Sequence, residues 1–85
     1  MRIDKFLWFA RLARSRSAAQ AICETGIIRL DGRRVERAHV LVRPGAVLAL
    51  VQGGVVRVVR IDHLPTRRGP ATEAAGLYTD LTNHD

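Results

Sequence analysis

Ile3, Phe6, Leu7 and Ala10 recur at the i, i+3, i+4, i+7 spacing of a helix with one buried stripe, and Asp4 near its start suits the positive end of the helix dipole. Leu12 and Ala13 then link to a second helix. Ser15 is its expected N-cap, helix formers run on to Glu24, and Gly26 stands where helices commonly end in a left-handed residue. Asp31-Gly32 joins two short apolar segments, a dipeptide that accepts positive φ at both central positions of a type I′ turn, so the helix is expected to feed a hairpin. A second apolar alternation reaches Val42. Arg43-Pro44-Gly45 reads as a turn, residues 46–51 as a strand, Gln52-Gly53-Gly54 as a tight turn, and residues 55–61 as a β-branched strand. The tail changes character at Leu64-Pro65-Thr66-Arg67-Arg68-Gly69-Pro70, a loop with two adjacent cations, before a short acidic helical segment expected around residues 73–81. The fold class predicted is α+β, with two short N-terminal helices packed on a small, mostly antiparallel β-sheet. Residues 1–64 are expected to form the domain and 65–85 its C-terminal tail.

Composition narrows what such a fold can do. A chain of 85 residues makes one domain with a modest core, burying roughly 60–65% of its unfolded surface. Its net charge of +6 points to a polyanionic partner. Residues 1–37 hold nine Lys or Arg against four acids, whereas residues 69–85 hold three acids and no Lys or Arg. The basic surface therefore belongs to the N-terminal half. The lone Cys23, among Ala and Ile on a helix, reads as a small buried thiol in a reducing compartment. No apolar run is long enough to span a bilayer, and the acid at Asp4 does not suit a signal peptide, so a cytoplasmic protein is expected.

The candidate chemistry is phosphate recognition. The first turn of the second helix offers backbone N–H groups at the positive end of a dipole, flanked by Arg14 and Arg16, with Gln20 one turn beyond Arg16 on the same side. Arg29, Arg33 and Arg34 decorate the hairpin, and all five arginines are expected to face outward together. Lys5, Trp8 and Arg11 recur every three residues along the first helix, placing a ring between two cations; the ring could stack on a base or complete the core.

Arg2-Ile3-Asp4-Lys5-Phe6-Leu7-Trp8, Arg11, Ser15-Arg16-Ser17, Ala21, Gly26, Asp31-Gly32 and Val42-Arg43-Pro44-Gly45 together resemble the small RNA-binding domain named for ribosomal small-subunit protein four, with its αL motif, over about residues 1–51. Arg67-Arg68-Gly69-Pro70-Ala71, Glu73-Ala74 and Leu77-Tyr78 narrow the resemblance to the bacterial heat-shock protein 15 family. The resemblance implies binding to large-subunit ribosomal RNA on stalled 50S subunits that still carry tRNA and a nascent chain, with tRNA a second candidate partner. It also brings Arg2 into the RNA-binding set, which then comprises Arg2, Lys5, Arg11, Arg14, Ser15, Arg16, Gln20, Arg29, Arg33 and Arg34. Two features depart from the family pattern. Asp31 replaces the usual Asn before the turn glycine, and the long basic C-terminal extension of the best-known members is not found among these residues.

Catalysis has no footing in this pattern. His39, His63 and His84 lie in unrelated contexts, and Glu36-x-x-His39 falls in a strand-like segment where i and i+3 point to opposite faces, so no catalytic residue, metal or cofactor is expected. A membrane-surface role would need exposed bulky apolar residues that the first helix requires for its core. The expectation is a monomeric, non-enzymatic RNA-binding protein without membrane or small-molecule partners. The alternative is an RNA-docking accessory subunit of an RNA-modifying or ribosome quality-control complex.

Overall fold

The structure, a computed structural model, describes residues 1–82. Helix α1 (Ile3–Phe9) buries the expected stripe, with Ile3, Phe6, Leu7 and Ala10 all at most 1% exposed. Its N-terminal N–H groups, which no intrahelical carbonyl can reach, are satisfied from afar: Ile3 N–H donates to Val40 O and Asp4 N–H to Ala38 O. Its C-terminus closes in a Schellman arrangement, Arg11 N–H donating to Trp8 O at 3.1 Å and Leu12 N–H to Leu7 O at 2.9 Å. Arg11 takes the left-handed position there, at φ +59°.

Helix α2 (Arg16–Glu24) begins as expected, the Ser15 hydroxyl accepting from Ala18 N–H at 3.0 Å. Ala19 and Cys23 face the core, and Gly26 follows at φ +78°. Asp31 (φ +51°) and Gly32 (φ +83°) make the hairpin between β1 (Arg29–Leu30) and β2 (Arg33–Arg34). Asp31 does more than turn: its carboxylate accepts from Val47 N–H at 2.9 Å, fastening the hairpin to the start of β3 (Val47–Gln52).

The β3 strand pairs with β4 (Val55–Ile61) through Gly53-Gly54, and the sheet runs β2-β1-β3-β4-β5, antiparallel throughout. Leu48, Leu50, Val59 and Ile61 point from one face into the core beneath the helices. Two expectations need correction. The second apolar alternation, over residues 35–42, forms no strand; it runs as a loop with a single antiparallel bridge between Arg2 and Leu41, and Val35, Ala38 and Val42 reach the core from it. The tail is helical only in α3 (Ala71–Ala74) and the 3-10 turn Ala75–Leu77, then becomes β5 (Tyr78–Asp80) on the β4 edge. β4 otherwise has an unpaired row of N–H and C=O groups, and pairing with β5 satisfies it.

Gly26 carries the sharpest local constraint. A Cβ there would stand 2.5 Å from the Arg34 guanidinium, and the positive φ would be strained as well. Gly26→Ala is expected to lower stability by about 1 kcal/mol in chemical denaturation. Adding Arg34→Ala should recover only part of the loss; full recovery would show that the contact alone, and not the dihedral, sets the constraint.

Candidate nucleic-acid interface

Asp4 is completely buried, an expensive place for a carboxylate unless its lone pairs are used. They are used by groups from both helices. Arg2 grips it bidentately, Nε to Oδ1 at 3.1 Å and Nη2 to Oδ2 at 3.0 Å, while Lys5 N–H donates to Oδ1 at 2.8 Å. From α2, Gln20 Nε2 donates to Oδ2 at 3.3 Å and Arg16 Nε lies 3.7 Å from the same oxygen, an ionic contact too long for a hydrogen bond. Burial raises the Asp4 pKa, but the hydrogen bonds from Arg2, Gln20 and the Lys5 N–H, with the Arg2 charge, outweigh it and hold the carboxyl below its ordinary value.

Arg2, Arg16 and Gln20, expected to bind RNA, are thus gathered around a residue that sequence reasoning assigned only to the helix dipole. The arginine side chains stay 43% and 40% exposed, so two cations over one acid leave net positive charge facing solvent. Arg16 and Gln20, four residues apart on α2, turn the same way toward Arg2 and Asp4, a spacing that marks their shared face but not the acid it meets. Next to it, the Ser15-capped first turn of α2 presents backbone N–H groups. Exposed Arg14 makes no ion pair among the described residues.

The hairpin arginines do not join this face. Arg29 and Arg34 are opposite each other and share one side of the hairpin, whereas Arg33 pairs with Leu30 and shares the other. A two-residue strand alternates sides, so adjacent arginines cannot face outward together. Arg34 lies against Gly26 and 3.6 Å from Glu36, at the opposite end of α2 from Ser15. Arg33 lines a separate groove of 500 Å³ with Leu41 and Arg43.

The stripe of Lys5, Trp8 and Arg11 is also broken up. Helix α1 ends at Phe9, so Arg11 leaves the three-residue recurrence and its Nε donates to Gly69 O at 2.7 Å. Lys5 Nζ sits 5.4 Å over the Phe9 ring. Trp8 is half-buried against Phe9 and covered by Arg68, whose Cζ lies 5.8 Å from the indole centroid, so the ring is not open to a base. Arg68 is a basic residue of this region outside the expected RNA-binding set, and its only sequence signal is the adjacent pair Arg67-Arg68 in the loop.

No three His, Cys, Asp or Glu side chains stand together as a metal set among the described residues, and His84 lies outside them. Glu36 and His39 lie in the loop after β2 rather than in a strand. Burial, with the charges of Asp4 and Glu24, pushes the Cys23 thiol up to about 11, away from thiolate chemistry.

Residues 1–48 match the S4 domain family. The chain is 36% identical over 80 residues to heat shock protein 15 of Escherichia coli K12, covering 94% of this chain and 59% of that protein. It therefore spans little more than half the length of that relative. It is 33% identical over 81 residues to the RQC P-site tRNA stabilizing factor of Bacillus subtilis 168, covering 95% and 92% of the two chains. The trimeric structure of Vibrio cholerae heat shock protein 15 superposes with a TM-score of 0.89 at 34% identity, covering 94% of this chain and 80% of that one.

The lowered Asp4 pKa makes a signed prediction. Its stabilising contribution is complete above the unfolded carboxyl value of about 3.9 and is lost as pH falls through the lower folded value. Asp4→Asn is expected to cost about 2 kcal/mol at neutral pH, the scale of charged hydrogen bonds. Denaturant melts of both proteins from neutral to strongly acidic pH should show that gap narrowing below about pH 4; a gap constant across the range would show that the carboxylate charge is not what stabilises the helix pair.

Proposed function

The chain belongs to the S4 domain family and is a relative of heat shock protein 15, and on that premise we propose that it binds large-subunit ribosomal RNA on stalled or dissociated 50S subunits carrying tRNA and a nascent chain. The observation that carries this reading is the cationic cluster of Arg2 and Arg16, held in place by Asp4 beside the capped start of α2. Backbone N–H groups at a helix N-terminus and guanidiniums with outward edges both suit phosphate oxygens. Gln20 extends that face, and Arg14 stands just before the Ser15 cap. Lys5, Arg11, Arg29, Arg33 and Arg34 supply the surrounding field rather than the central contact.

Binding alone is the activity in this reading: the protein holds RNA without chemistry, cofactor or small-molecule substrate. It works as a monomer in the cytoplasm, where its RNA is, with residues 1–64 as the binding unit and 65–85 as its tail. Among the described residues no helix is long and apolar enough to cross a membrane. A second reading, an RNA-docking part of a ribosome quality-control complex, is favoured by the near-complete coverage of the tRNA stabilizing factor.

Two variants separate folding from binding. Arg16→Ala should change stability by no more than about 0.5 kcal/mol, because Arg2, Gln20 and the Lys5 N–H keep Asp4 satisfied while Arg16, 3.7 Å away, makes no hydrogen bond to it. It should nevertheless markedly reduce co-sedimentation with 50S particles. Ser15→Ala should cost about 1 kcal/mol through the lost cap and also weaken binding. If Arg2, Arg14 and Arg16 each meet a phosphate, the log–log salt slope for structured RNA should have a magnitude of about 2 to 3. An Arg16→Ala protein that melts early and sediments normally would reassign Arg16 to structure, and salt-insensitive binding would remove the phosphate account.

A further inference from the structure

On the other side of α2 lies a groove of 520 Å³, bounded by the α1–α2 link, the β3–β4 turn and the basic loop of the tail. We propose that it receives one unpaired nucleotide of the bound RNA, its phosphates on Arg11, Arg14 and Arg68 and its base against Arg68, Ile22 and Val51. This rests on the RNA-binding reading above and adds a second contact to it.

The ion pairs among the described residues engage Arg2, Arg16, Arg34, Arg57, Arg60 and Arg67, and none engages the three arginines of the groove. The groove has no acid among its lining residues. An anion is the complementary ligand, and a volume inside the about 300–1,000 Å³ range of small-ligand sites suits a nucleotide.

Arg11 and Arg68 form a reciprocal clasp: Arg11 Nε donates to Gly69 O in the tail at 2.7 Å, and Arg68 Nε donates to Trp8 O at the end of α1 at 3.2 Å. Each arginine is fixed through Nε, and its Nη nitrogens make no hydrogen bond among the described residues. Arg11 also holds the left-handed position that glycine usually takes at a helix end. The helix-end hydrogen bonds of Arg11 and Leu12 hold it there and so fix the start of its side chain.

The walls fit a base. Arg68, its Cζ 5.8 Å from the Trp8 centroid and its Nε held by Trp8 O, presents a positioned guanidinium against which a planar base can lie. Ile22 and the exposed Val51 add apolar surface, and Gly53 leaves its side of the turn open, with no atom within 4 Å of where a Cβ would stand. Gln52 Nε2 donates to Leu12 O at 2.9 Å, locking the turn to the helix link. Ala18 and Ile22, four residues apart, turn one face of α2 to the groove, and Arg14 meets it just before the Ser15 cap.

The test uses two RNA hairpins with the same stem, one fully paired and one with a single bulged uridine, titrated with the full chain by fluorescence anisotropy. Wild type should prefer the bulged hairpin by about tenfold, within the range that one stacked base contributes. Arg68→Gln and Val51→Asp, on opposite walls, should each erase that preference while circular dichroism shows a folded protein. Arg16→Ala should weaken both hairpins alike. A preference that survives both groove variants overturns the proposal, as does wild type binding both hairpins equally, and in either case the RNA-binding reading stands. Binding to neither hairpin overturns both. Uridine monophosphate binding as tightly as the bulged RNA would make the groove a small-nucleotide site and overturn the RNA contact.

Discussion

A buried carboxylate with partners on two helices is the constraint on which the rest of this molecule depends. Asp4 has no access to water, so every lone pair not bonded by protein would cost free energy in a medium of low dielectric. Satisfying it requires Arg2 to fold back, the Lys5 N–H to turn in and Gln20 to reach across from α2, which fixes the relative position of the two helices and brings Arg16 close. The same requirement concentrates cations beside the first turn of α2. A structural need and a phosphate-binding surface are thus met by one arrangement.

Both ends of α1 are sealed by segments distant in sequence. At its start, Ala38 and Val40 in the loop after the hairpin accept its N–H groups, and Met1 bonds Val42. At its end, the tail clasps Arg11 and lays Arg68 over Trp8. The tail then returns as β5, where Leu81 N–H donates to Val58 O and Arg57 meets Asp80 at 3.0 Å. Thr82 and Arg57 hydrogen-bond the Asp80 carboxylate and hold its pKa at about 2, so it is ionised throughout the physiological range. The tail is therefore part of the sheet and of the basic surface at once.

Two cationic regions flank α2. Arg16 and Gln20 look toward Asp4 on one side, and Arg14, Ala18 and Ile22 line the groove on the other. The hairpin arginines divide between its two sides, which spreads positive potential broadly. A broad field raises the rate of encounter with a polyanion, whereas fixed guanidiniums select a geometry.

The sequence alone determined the features coded within a few residues. The stripe of Ile3, Phe6, Leu7 and Ala10, the Ser15 cap, the left-handed Gly26 and the Asp31-Gly32 turn follow from helix period, capping and steric limits on φ, and each appears at its expected place. The β3–β4 hairpin follows from alternation and paired glycines in the same way. Only the tertiary structure decided where charges point. Asp4 bonds Gln20 sixteen residues away, and Arg11 bonds Gly69 fifty-eight residues away, so neither partnership leaves a local trace. Residues 78–80 became a strand because the β4 edge offered backbone partners, a pull that acts only once the sheet exists. Local propensity is a property of neighbouring residues; the partner of a buried charge is set by whichever distant groups the packed core brings within hydrogen-bond reach.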